Sequence, residues 1–154
     1  MKRIFGLVLT LFTLVMIFSS CSKGKPYLPQ KISGTVTFRA ENYHCKGDFL
    51  FEKEGIKRLT LSEPSEINGT FVEVTDGLIT LSYDGISAEI NGNSPVRRLF
   101  AIAEDFTSRE HKIPLKGIEI IKGTTEEGSH EIEFNCYENR ITEIKTEEAE
   151  YIFQ

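Results

Sequence analysis

The stretch Ile32-Ser33-Gly34-Thr35-Val36-Thr37-Phe38-Arg39 decides the fold class. Ile32, Gly34, Val36 and Phe38 alternate with Ser33, Thr35, Thr37 and Arg39, a period of two that turns one set to a core and the other to water. An antiparallel sheet with one wet face produces this pattern, whereas a parallel sheet covered on both faces reads as continuous apolar runs. The same period continues outward. Tyr43, Cys45, Gly47, Phe49 and Phe51 oppose His44, Lys46, Asp48 and Glu52, with Leu50 breaking the polar side. Glu54-Gly55 turns the chain, and Leu59 and Leu61 then alternate with Arg58 and Thr60. Asp76-Gly77, set between Val72/Val74 and Ile79/Leu81/Tyr83, predicts a hairpin whose turn requires positive φ. Asp84-Gly85 repeats the signal before Ile86, Ala88 and Ile90. Toward the end, His130, Ile132, Phe134 and Cys136 alternate with Glu131, Glu133 and Asn135. Glu138-Asn139-Arg140 turns into a strand over 141–145, and Ala149, Tyr151 and Phe153 close the chain.

One segment departs from this period. Ser94 is a good N-cap and Pro95 suits the first helical position. Val96, Leu99, Phe100, Ala103 and Phe106 then recur at helical spacing, with Arg97, Arg98, Glu104 and Asp105 mostly between them. The expectation is one amphipathic helix of about three turns, too polar on its outer face to insert in a membrane and packed by its stripe on the sheet. The fold class is therefore mainly β with one helix.

The N-terminus carries an address rather than a piece of this fold. Lys2 and Arg3 precede an uncharged run from Ile4 to Phe18, which is short of the roughly 20 apolar residues that a spanning helix needs. Basic head, apolar run and small residues read as a secretory signal. Phe18-Ser19-Ser20-Cys21 resembles the lipobox of bacterial lipoprotein precursors, with Phe18 where Leu, Val or Ile is usual. That resemblance implies that Cys21 receives a diacylglycerol and becomes the new N-terminus, on the extracytoplasmic side of a bacterial membrane. Residues 22–31, interrupted by Pro26 and Pro29, read as a flexible tether holding a single domain, residues 32–154, off the membrane. Lys23, Lys25 and Lys31 there would each add on the order of 1 kcal/mol of attraction to anionic headgroups at best.

Composition narrows the function classes. The 154 residues carry a formal charge of −5; removal of residues 1–20 takes away two bases and no acids, leaving −7. An acidic chain has no sequence-independent grip on phosphate, so no nucleic-acid partner is expected. The same acidity argues against tight contact between the domain and an anionic membrane, so attachment falls to the lipid on Cys21, and protein partners are not legible. His44, His111 and His130 are scattered, with no zinc spacing, and the acidic runs Glu126-Glu127 and Glu147-Glu148-Ala149-Glu150 lack the pattern of a calcium loop. No nucleophile elbow or phosphate-cradling glycine loop is present, so no enzyme activity, metal or cofactor is expected. Cys45 and Cys136 each fall on the apolar side of a strand. They either pair across a loop of about 90 residues or stay separate as small buried hydrophobes.

The run Glu63-Pro64-Ser65-Glu66-Ile67-Asn68-Gly69-Thr70-Phe71, a hairpin, Leu81-Ser82-Tyr83-Asp84-Gly85-Ile86 and then Ser94-Pro95 opening a helix resemble the LolA/LolB-like superfamily, in particular its small bacterial lipoproteins. The resemblance spans about residues 32–154 as an order of elements. It implies a curved, incomplete antiparallel β-barrel with its concave face covered by helix. In the best-known members that concavity receives the acyl chains of lipoproteins in transit. One helix is legible here where the carriers use more, and a lipid-anchored chain would parallel the anchored receptor rather than the shuttle. The resemblance thus implies a non-enzymatic binding module for an acyl chain, a lipopeptide or another apolar ligand. Candidate lining residues are Phe38, Phe49, Phe51, Leu61, Ile79, Leu81, Leu99, Phe100 and Phe106. The alternative is a structural or protein-interaction subunit of an envelope complex, in which the same nine side chains are ordinary core.

Overall fold

The computed structural model describes residues 24–41 and 43–154. The expected signal segment and the lipidated Cys21 lie outside the described residues. Twelve strands and one α-helix are found within them: β1 (Lys25–Tyr27), β2 (Lys31–Ala40), β3 (Tyr43–Glu52), β4 (Lys57–Glu63), β5 (Phe71–Thr75), β6 (Leu78–Tyr83), β7 (Ile86–Glu89), α1 (Pro95–Ser108), β8 (His111–Ile113), β9 (Ile118–Thr125), β10 (Gly128–Asn135), β11 (Arg140–Thr146) and β12 (Ala149–Phe153). Ten strands make one antiparallel sheet, ordered β7-β6-β5-β4-β3-β2-β12-β11-β10-β9, which is not closed into a barrel. β1 and β8 form a separate two-stranded ribbon. The mainly β class with one helix is what the alternation predicts.

The period-two pattern explains which face is buried. Ile32, Val36 and Phe38 on β2, Phe49 and Phe51 on β3, and Leu59 and Leu61 on β4 all turn to the core. Ile132 and Phe134 on β10 and Tyr151 and Phe153 on β12 do the same. Asp76 and Gly77 take φ of 52° and 80°, and Asp84 and Gly85 take 48° and 78°, as both hairpin signals require. Register shifts at Lys46/Gly47 and at Glu133/Phe134 add local bend to the sheet. The curvature carries strands from both halves of the sheet onto α1. Phe49 meets Phe100 at 5.3 Å between ring centroids, and Phe134 meets Phe106 at 6.1 Å.

The Arg97 amide donates to Ser94 Oγ at 3.1 Å, so the helix begins at the predicted cap. It runs to Ser108, longer than the three turns expected, and Ile102 joins Leu99, Phe100, Ala103 and Phe106 in its buried stripe. Tyr151, buried beneath its first turn, donates from its hydroxyl to the Pro95 carbonyl at 2.7 Å.

The tether is corrected by the structure. Within residues 22–31, Lys25–Tyr27 pairs in register with His111–Ile113, and Tyr27 packs on Phe134 with centroids 5.3 Å apart. Pro29 is buried. Proline is tolerated in β1 because a two-stranded ribbon is all edge, where a missing amide leaves no ladder bond broken. β8 and β9 carry no comparable sequence signal. β9 is an edge strand with no fully buried residue, and Ile120-Ile121 interrupts its alternation.

Candidate functional site

Of the nine candidate lining residues, eight are buried and Leu81 is half-buried against the same core. α1 covers the apolar face of the sheet, as expected of the helix. Leu99 and Phe106 are essentially without exposure, and Phe49 touches Phe51, Phe100 and Phe153. Phe38, Phe49, Leu61, Leu81, Leu99 and Phe106 therefore act as core, Phe106 also bordering a hollow of about 110 Å³ beside Tyr27 and Phe134.

An apolar cleft lies to one side of the helix. About 300 Å³ in volume, it opens where the β4–β6 end of the sheet faces the β9–β10 turn across α1. Phe51, Val74, Ile79, Phe100 and Ala101 contribute apolar surface to it. Three of the nine candidates, Phe51, Ile79 and Phe100, thus reach this wall. The rim is charged: Lys57 Nζ pairs with Glu104 Oε2 at 2.6 Å, and Arg97 Nε pairs with Glu127 Oε1 at 2.8 Å. Lys57 also stands 4.9 Å from the centroid of Phe51, so its ammonium caps the apolar wall. Sequence reading missed the rim because its charges come from β4, α1 and the β9–β10 turn, which only the curvature brings together.

Outside the cleft, titratable groups serve packing. His111, stacked on Phe106 at 4.4 Å, donates from Nε2 to the Phe106 carbonyl at 2.8 Å, closing the end of α1. His130 is buried with Nε2 3.5 Å from Asp105 Oδ2, while its Nδ1 has no hydrogen-bond partner. Burial, and next the positive charge of Arg109, hold its pKa below the ordinary histidine value. Arg109 itself binds Asp105, which offsets what that carboxylate would do for a protonated imidazole. His44 is exposed. Among the described residues, no three His, Cys, Asp or Glu side chains converge on a point that could hold a metal.

The thiols of Cys45 and Cys136 are free. Cys45 lies opposite Phe38, whose row continues through Tyr151 and Ile144 to Ile132. Cys136, just past the end of β10, lies four residues beyond Ile132, an offset of about 13 Å, whereas a disulfide needs Cα atoms within about 7 Å. Of the two readings of these cysteines, the separate half-buried thiols are observed. Burial raises the pKa of both.

Comparison with protein families and with curated proteins gives no match. Among solved structures, a LolA superfamily protein from Nitrosomonas europaea is similar at 10% identity, covering 75% of this chain and 64% of that one, with a TM-score of 0.33. This chain spans less than two thirds of that protein's length. The similarity concerns fold alone and carries no residue role. Among the described residues, no helix is long and apolar enough to cross a membrane.

Proposed function

We propose that this protein is a lipid-anchored extracytoplasmic binding module, non-enzymatic, that holds one apolar chain in the cleft beside α1. The observation that carries the reading is the cleft itself. Its volume of about 300 Å³ is at the lower end of the range for small-molecule pockets, and its aromatic and aliphatic wall has a charged rim of the kind that fixes a polar head. A single acyl chain suits this apolar wall better than a bulky polar ligand does. Anchoring rests on the signal-like residues 2–20 and on Cys21.

The filled concave face supports a second reading, a structural or interaction subunit with no ligand. Native mass spectrometry of the chain from residue 22, purified from cells, separates the two. A copurified lipid, or one-to-one binding of an added fatty acid, supports the binding module. A bare mass that stays bare with fatty acids and lipopeptides supports the subunit. Cys21→Ala abolishes lipid labelling and membrane retention if the anchor is as proposed; retention of both contradicts it.

A further inference from the structure

The strand β1 changes what the N-terminal lipid can do. Gly24 sits on the Ile113 carbonyl, where an added Cβ would come within 3.0 Å of the oxygen. Only Ser22 and Lys23 separate Gly24 from Cys21, and a fully extended chain over those three residue steps spans about 11 Å at most. A diacylglycerol on Cys21 therefore cannot hold the domain off a bilayer; it brings the β1–β8 end to the headgroup layer.

That end carries exposed apolar side chains, as the β6–β7 edge does with Leu78, Tyr83 and Ile86. Leu115, Ile118 and Tyr137 are exposed by 68%, 60% and 70%. The Cys136 amide donates to the Gly117 carbonyl at 3.0 Å, drawing the loop after β8 and the turn after β10 into one surface. A hollow of about 400 Å³ opens there between β1, Leu115 and Cys136. Lys25 lines it, and Lys112 on β8 and Lys116 in the loop after β8 are exposed, although the chain as a whole is acidic. Of the nearby acids, Glu138 is paired with Arg140, and Glu119 is half-buried beside Cys136.

We infer that this end is a membrane-contact face: Leu115, Ile118 and Tyr137 enter the interfacial layer of the anchoring bilayer while Lys25, Lys112 and Lys116 meet its anionic headgroups. The inference rests on the lipid-anchored reading of Cys21. Amphipathic side chains beside lysine suit the interface, where apolar burial and headgroup attraction add. The occupant is the bilayer because the covalent tether leaves the face nowhere else to go.

The chain contains no tryptophan, so single Leu115→Trp, Tyr137→Trp and Ile86→Trp variants each carry one clean probe. All three positions are exposed, and Ile86 lies on β7, at the opposite edge of the sheet. The full-length lipidated variants are reconstituted in phosphatidylcholine/phosphatidylglycerol vesicles with brominated acyl chains. The indole emission of Leu115→Trp and Tyr137→Trp is expected to shift to the blue and to be quenched by the bromines, while Ile86→Trp keeps an aqueous spectrum. Equal, unquenched spectra for all three variants in chains whose mass includes the lipid overturn the contact face and leave the anchor standing. A blue shift without quenching that grows with protein concentration assigns the face to a second copy and overturns the inference too. A chain whose mass lacks the lipid overturns the anchor and this inference together.

Discussion

At Gly47 an added Cβ would lie 2.4 Å from the Thr60 carbonyl oxygen and 3.1 Å from Leu61 Cα, both backbone atoms that cannot turn aside. Gly47→Ala must part β3 from β4 at their register shift, a cost of about 1–3 kcal/mol expected as a lower urea midpoint. An unchanged midpoint would mean that the two strands are not held this closely. His130 makes the pH prediction. Its folded pKa lies below the unfolded value of about 6.5, so the folded state binds fewer protons than the unfolded one. The stability that goes with neutral His130 is complete above about pH 6.5 and is lost as pH falls through the depressed folded value. His130→Gln should therefore lose less stability than the native chain between about pH 7.5 and about pH 5.5. Equal losses in parallel thermal melts would contradict the lowered pKa of buried His130.

α1 is the element on which the account turns, because it converts an open concavity into a packed core. Ser94→Ala removes the acceptor of the Arg97 amide and should cost about 1 kcal/mol. Leu99→Ala should cost about 2–5 kcal/mol, since Leu99 is fully enclosed between helix and sheet. Chemical denaturation measures both, and a Leu99→Ala loss no larger than that of Ser94→Ala would place the helix outside the core. This helix was legible from Ser94-Pro95 and its stripe, and strands β2 to β6 from their alternation, because each buries one face and leaves polar residues on the other. β1, β8 and β9 were not. β1 pairs with β8, distant in sequence, and β9, although it forms a hairpin with β10, has no continuous apolar face of its own. The site was legible in part for the same reason. Apolar residues announce that they are buried, not whether a helix or a ligand buries them. Phe51, Ile79 and Phe100 could be named from sequence, but the charged rim and the filling of the concave face required the curvature.

For the whole molecule, the open sheet leaves a gap between its two ends, and the cleft lies in that gap. Ion pairs border the cleft, and exposed apolar side chains stand both at the β1–β8 end, with Leu115, Ile118 and Tyr137, and on β6 and β7, with Leu78, Tyr83 and Ile86. Among the described residues twelve strands are paired and the core is filled, so ligand binding is expected to change the fold little. The central claim is that the cleft beside α1 takes one apolar chain. The direct measurement is an NMR titration of the chain from residue 22 with a medium-chain fatty acid, run beside Ala101→Trp. Ala101 is half-exposed on the cleft wall, and a tryptophan there fills the space without entering the core. The account predicts saturable one-to-one binding whose shift changes centre on Ile79, Phe100 and Ala101 and which Ala101→Trp abolishes. Shifts that are absent, or that persist undiminished in Ala101→Trp, would contradict it.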